Sequence, residues 1–122
     1  MPSAQRICMS SSLRSRGRGR RFSVFDGNRR HAAFVVRYGT VVYAYLNRCG
    51  HQDLELDWNP GIFFDTGGRF LLCATHGASY EPSSGRCVGG PCNGRGLVAV
   101  GVKEQGDEVL LHDDRYTLDN SP

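Results

Sequence analysis

Two short segments concentrate the side chains that bind borderline-soft metals: Cys49-Gly50-His51 and Cys73-Ala74-Thr75-His76. Thiolate and neutral imidazole are the ligands such metals prefer, so four of them in two clusters make a metal centre the first chemistry to consider. A tetrahedral zinc ion accepts two Cys and two His, but structural zinc sites usually draw both Cys from one cluster and both His from the other. Here each cluster is mixed. Mixed pairing suits a binuclear iron–sulfide centre, in which Cys49 and Cys73 share one iron, His51 and His76 share the other, and inorganic sulfides bridge them. With both loops approaching from one side, the thiolates lie deeper and the imidazoles nearer solvent.

Strands must hold these loops. Period-2 alternation and enrichment in β-branched and aromatic residues dominate, and no segment carries a clean helical apolar stripe. The chain therefore reads as all-β. The best hairpin runs from Ala32 to Tyr38 and from Thr40 to Leu46, turning near Gly39. Further strands are expected at Phe22–Phe25, Ile62–Phe64, Arg69–Cys73, Leu97–Lys103 and Glu108–His112, with Cys8 as a core thiol on a first strand. Asp65 to Gly68 reads as the tip of a second hairpin, and Pro82-Ser83-Ser84-Gly85 and Gly89-Gly90-Pro91 read as turns. The first Cys/His pair follows the strand ending at Leu46, and the second ends the strand starting at Arg69.

The 122 residues amount to one domain, and a single site is expected. Residues 6–112 form that domain, with 1–5 and 113–122 as loosely held tails. No apolar run approaches the roughly 20 residues needed to cross a bilayer, and no signal-like stretch opens the chain, so a cytoplasmic protein without membrane contact is expected. In a reducing compartment five cysteines suit metal ligation or free thiols better than a disulfide framework. The net charge of +3 conceals an asymmetry: residues 1–50 hold ten Arg and one acid, Asp26, whereas the acids dominate thereafter. The arginines from Arg14 to Arg30 could meet phosphate or an acidic protein. The plainer reading, a solvated loop and strand edge, is preferred.

The ligand pattern Cys-x-His followed by Cys-x-x-His-Gly, then Tyr80, the Gly85 turn and Gly90-Pro91, resembles the Rieske domain, most closely from Arg48 to Leu97. Arg86-Cys87-Val88-Gly89-Gly90-Pro91-Cys92 looks like the segment after the second ligand loop in small Rieske ferredoxin-like proteins. The resemblance implies an antiparallel β-sandwich with a small cluster-binding β subdomain and one 2Fe-2S cluster held by Cys49, His51, Cys73 and His76. Gly77, Ala78, Tyr80 and Pro91 would surround it, Pro91 within a covering third loop. It also implies passage of single electrons between redox protein partners, a reductase and a terminal acceptor. The chain is too short to add an oxygenase's catalytic domain, so it reads as a component and not a complete enzyme. One departure is spacing: residues 52–72 separate the ligand pairs by a few more positions than the family commonly has, and an extended hairpin from Trp58 to Phe70 would absorb them.

Formal charges favour a potential above that of all-Cys clusters. Two ferric ions, two sulfides and two thiolates sum to zero with neutral His, and reduction of a less negative centre is easier: about −150 to +300 mV against about −400 mV. High-potential members of the family carry an extra Cys in each ligand loop and a Ser two residues after the second His. Here those places hold Leu54, Thr75 and Ala78, while Tyr80 stands where the family's Tyr donates toward a cysteine sulfur. A low-potential, ferredoxin-like centre is expected.

Other candidates take plainer readings. His31 and His112 are expected at strand edges, outside the site. Cys87 and Cys92 could pair or serve as spare ligands, but small buried thiols are preferred in a reducing cytosol. Trp58, Phe63, Phe64 and Phe70 are expected to pack in the core rather than form a docking patch. Asp53, Glu55, Asp57 and Asp65 read as a solvated acidic face that could steer a partner. The alternative function is a structural zinc module using the same four ligands and touching nucleic acid through the arginine stretch. Nucleic acid is not the expected partner, and a Rieske-fold regulatory subunit lacking the cluster ranks lower still because all four ligands are present.

Overall fold

A computed structural model describes residues 6–48, 55–57, 60–74, 77–90 and 95–119. In these the strands are, in chain order, β1 (Arg6–Met9), β2 (Arg20–Phe25), β3 (Arg30–Tyr38), β4 (Val41–Leu46), β5 (Leu71–Leu72), β6 (Ser79–Tyr80), β7 (Cys87–Gly89), β8 (Ala99–Val100), β9 (Val102–Gln105), β10 (Glu108–Leu111) and β11 (Thr117–Leu118). One 3-10 turn, Ser10–Ser12, is the only helical piece among the described residues. They form a five-stranded antiparallel sheet ordered β11-β2-β3-β4-β8 and two three-stranded antiparallel sheets, β1-β10-β9 and β5-β6-β7. The expected all-β architecture with a small subdomain holds.

The hairpin of β3 and β4 is the centre. Tyr38 pairs with Val41, leaving Gly39 and Thr40 as a two-residue loop whose first position is left-handed, φ 68°, a conformation Gly adopts without a Cβ penalty. Side chains on a strand alternate between faces, and here both faces are covered. Ala33, Val35, Val42, Ala44 and Leu46 pack into a core with Val24, Val109 and Leu111 from the flanking strands. The intervening Phe34, Val36 and Tyr45 pack into a second core with Phe63, Leu71, Cys73, Ala78 and Tyr80. The stacked rings of Phe34 and Phe63, 4.0 Å between centroids, join the large sheet to the subdomain. Burial on both faces explains why the segment reads Ala-Ala-Phe-Val-Val instead of alternating cleanly.

Several expected boundaries shift. The strand anticipated at Ile62–Phe64 reduces to a bridge between Phe64 and Leu71, and that at Arg69–Cys73 to β5. The hairpin tip at Asp65 to Gly68 is present, closed by Gly68 N–H on Asp65 O and Asp65 N–H on Phe70 O. Leu97–Lys103 is broken at Gly101, because the chain leaves the five-stranded sheet after β8 and enters the outer sheet at β9. A Cβ at Gly101 would lie 2.3 Å from His112 O. The C-terminal segment is not a loose tail over 113–119: Asp113 accepts from Gly101 N–H at 2.8 Å, β11 pairs with β2, and Asp119 N–H donates to Ser23 O. Short strands of two residues leave too little periodicity to read in advance.

The arginine-rich segment is a loop leading into β2, and it braces the second hairpin. Arg18 donates to Pro60 O at 2.7 Å, Gly19 N–H donates to Gly61 O at 2.8 Å, and the Arg16 guanidinium lies over the Tyr38 ring. No helix among the described residues is long and apolar enough to cross a membrane.

Candidate metal centre

Cys73 directly follows β5 with no solvent exposure, walled by Leu71, Ala78 and Tyr80 of the second core. Two backbone bonds close the loop that follows: Cys73 N–H donates to Ala78 O at 2.9 Å and Gly77 N–H to Cys73 O at 2.8 Å. Cys73, Gly77 and Ala78 thus form a closed base. Tyr80 is fully buried beside this base on β6.

The first pair's loop has equally defined feet. Its incoming foot is Asn47, directly after β4, and its outgoing foot is Leu56 and Asp57; all three are buried. The Asn47 side-chain oxygen accepts from Leu56 N–H at 2.9 Å, and its amide NH2 donates to Asp57 Oδ1 at 3.0 Å. Asp57 Oδ2 accepts from Gly61 N–H at 2.8 Å and faces Arg21 Nε at 3.4 Å. Arg21 also bonds Glu55 at 2.5 Å. Ala74 N–H then donates to Leu56 O at 3.1 Å, so the bases of the two loops are bonded to each other. A third segment closes on the same place: a Cβ at Gly90 would sit 2.6 Å from Gly77 O and 2.7 Å from Ala78 Cα.

The structure thus brings Cys73, Gly77, Ala78 and Tyr80 together. Cys49, His51, His76 and Pro91 lie outside the described residues, as do Leu54, Trp58, Thr75, Cys92 and Asp53. The buried Cys73 thiol beside the joined loop feet, with the remaining Cys and His donors carried on those loops, fits an iron–sulfur centre of mixed ligation. His31 stays apart, bonded to Asp26 Oδ2 at 2.7 Å, and that bond with two backbone N–H groups holds the Asp26 carboxyl at about 2. His112 is exposed, and Cys8 is a buried core thiol on β1 whose pKa burial raises. Phe63 and Phe64 are core residues and Phe70 is half-buried.

Two expectations are corrected. Cys87 is not a buried thiol: it is half-buried on β7 and disulfide-bonded. Nor do the acids form one solvated face, because Asp57 is buried, Glu55 is paired with Arg21, and Asp65 Oδ1 accepts from Arg69 N–H at the hairpin tip. Sequence reasoning missed Asn47, Leu56 and Asp57 as loop feet. Asp57 alternates with Leu54, Leu56 and Trp58 in a pattern that reads as polar-outward, and only the fold turns it inward.

Comparison with known families and structures agrees. The sequence profile of the Rieske 2Fe-2S domain matches residues 3–108, and the chain belongs to that family. No curated protein matches. Among solved structures, the ferredoxin of carbazole 1,9a-dioxygenase from Nocardioides aromaticivorans IC177 is 28% identical at a TM-score of 0.70, covering 89% of this chain and 96% of that one. The Sphingomonas yanoikuyae B1 ferredoxin shares the fold at 21% identity and a TM-score of 0.65, over 87% and 94% of the two chains. So does a chain in the complex of reduced oxygenase and oxidized ferredoxin of carbazole 1,9a-dioxygenase, at 24% identity, a TM-score of 0.68, and 93% and 90% coverage. The molecule is a Rieske-type, ferredoxin-like electron-transfer protein with one 2Fe-2S cluster, and the zinc reading is not favoured.

Proposed function

We propose that Cys49 and Cys73 bind one iron of the cluster and His51 and His76 the other, and that the protein carries single electrons from a reductase to an oxygenase- or reductase-type acceptor in the cytoplasm. The observation that carries the ligand assignment is the fully buried Cys73 thiol on a loop whose base is bonded to the base of the Cys49/His51 loop. The bound cluster supplies a one-electron couple; the chain's residues set how that couple is held and shielded. Cys73 enters from the apolar core, which keeps water from one side of the centre. Ala78 offers no hydroxyl toward it, and this supports a midpoint in the lower part of the family's range, below about +200 mV. Resemblance to the ferredoxin of an oxygenase system supports an acceptor of that kind.

Purified protein should contain two iron and two acid-labile sulfide per chain, with a rhombic EPR signal on reduction. Cys73→Ser and His76→Ala should each abolish the signal, and His31→Ala should leave it unchanged. A colourless protein with one stoichiometric zinc would refute the ligand assignment; a midpoint above about +200 mV would refute the placement in the lower range.

A further inference from the structure

We infer that Asn47 and Asp57 are positioning residues for the iron–sulfur centre, acting as a buried polar clamp that holds the two ligand loops in register. This rests on the ligand reading above and goes beyond it.

The clamp is costly to bury and is completely satisfied. Asn47 and Asp57 are the buried polar and charged residues among those described, at 3% and 5% exposure. A carboxylate removed from water requires compensating partners. Asp57 has Asn47 Nδ2, Gly61 N–H and the Arg21 guanidinium, and no buried side-chain polar atom among the described residues lacks a partner. Asn47 is tied in turn through its own N–H to Ala32 O at 2.8 Å on β3. The loop carrying Cys49 and His51 therefore starts and ends on one network anchored to the central hairpin.

That network extends to the other loop through a single residue, Leu56. Leu56 N–H is held by the Asn47 side chain, and Leu56 O is held by Ala74 N–H, one residue beyond Cys73. Moving Asn47 Oδ1 moves Leu56, and moving Leu56 shifts the residue after a ligand. Two clusters that must meet around shared metals tolerate little such displacement, because ligand geometry is set by the groups that hold the ligands.

The chemistry selects an amide at 47. The side chain must accept from a backbone N–H and donate to a carboxylate, which Asn does and neither Asp nor Leu does. Asp at 47 would set two carboxylates at hydrogen-bond distance with no proton between them. Leu would leave Leu56 N–H and one Asp57 oxygen without partners in a buried site. Arg21 supplies the countercharge from β2, and its second bond, to Glu55, brackets Leu56 from both sides.

The test compares holoproteins: wild type, Asn47→Asp, Asp57→Asn, the swap Asn47→Asp/Asp57→Asn, and Val109→Ala, a cavity variant in the other core that serves as a stability control. Each is assayed for iron release to a chelator, for EPR g values after reduction, and for its urea midpoint. Either single substitution should accelerate iron release about 10- to 100-fold relative to the control and alter the g values. The swap restores one donor between two acceptor groups at unchanged charge, and should return iron release most of the way to wild type. Single variants whose g values and iron release match Val109→Ala at comparable urea midpoints overturn the inference, as does a folded swap that releases iron as fast as the singles. If Asn47→Asp does not fold, Asp57→Asn and the swap carry the same comparison. A wild-type protein without a 2Fe-2S cluster overturns the ligand reading, whereas a loaded wild type with insensitive variants overturns the clamp alone.

Discussion

Gly90→Ala separates two penalties that usually arrive together. Gly90 has φ +80°, and an added Cβ would lie 2.6 Å from Gly77 O, 2.7 Å from Ala78 Cα and 3.0 Å from Ala78 N. All three are backbone atoms of the turn behind the second ligand pair, so no side chain can swing away. Gly106 has a similar φ, +61°, with nothing within 4 Å of an added Cβ. Gly106→Ala therefore reports the left-handed strain alone, about 1–2 kcal/mol. Gly90→Ala adds forced displacement of packed backbone, about 1–3 kcal/mol more on the scale of overpacked cores. The gain from stiffening the unfolded chain is common to both and cancels in the difference. Urea denaturation should show Gly90→Ala less stable than Gly106→Ala by about 1–3 kcal/mol at an unchanged m-value. Iron release should accelerate for Gly90→Ala only, because the displaced turn carries Gly77, the neighbour of His76. Equal stability losses, or equal iron retention, would refute the argument that the third segment packs on the ligand loop by backbone contact.

Tyr45→Phe should cost about 1–3 kcal/mol in the same assay, since the buried hydroxyl donates to Pro82 O at 2.6 Å and its loss strands that carbonyl; a change within error would show that the carbonyl finds another donor. Phe63→Ala removes the fully buried ring stacked on Phe34 and should cost about 3–5 kcal/mol, with loss of thermal cooperativity between subdomain and sheet as the second readout. Acid should destabilise the fold through four carboxyls held below their ordinary values: Asp26 through His31, Glu81 through Ser83, Glu104 through Arg37 and Asp113 through Arg115. Unfolding lets these groups bind protons near their ordinary 3.8 or 4.5, so their contribution is present above that range and is lost as pH falls toward the folded value, about 2 for Asp26. Stability that stays level from pH 5 down to about 2.5 would contradict this sign.

The family and the metal chemistry were legible because they depend on residue type at short spacing. Cys-x-His and Cys-x-x-His point to candidate ligands whatever the rest of the chain does, and the β3–β4 hairpin announces itself by two long β-rich runs around Gly39. The two-residue strands β6 and β11 were not legible, and β5 and β8 were legible only as parts of longer expected strands, because they exist through pairing with partners distant in the chain and carry no period of their own. The break at Gly101 likewise follows from the chain's change of sheet, not from any local signal stronger than one glycine.

What tertiary structure decided is which polar groups face inward. Asp57 sits among apolar residues in a run that alternates like an exposed strand edge, yet it is buried because Asn47, Gly61 and Arg21, brought from three other segments, satisfy its oxygens together. The arginine stretch carries one sign of charge over many residues, but only the fold turns Arg18 and Arg21 into braces for the second hairpin and the first ligand loop. Ligand identity is a property of side-chain chemistry and survives in one dimension. Ligand placement depends on hydrogen bonds between segments far apart in sequence, and those exist only once the chain has folded.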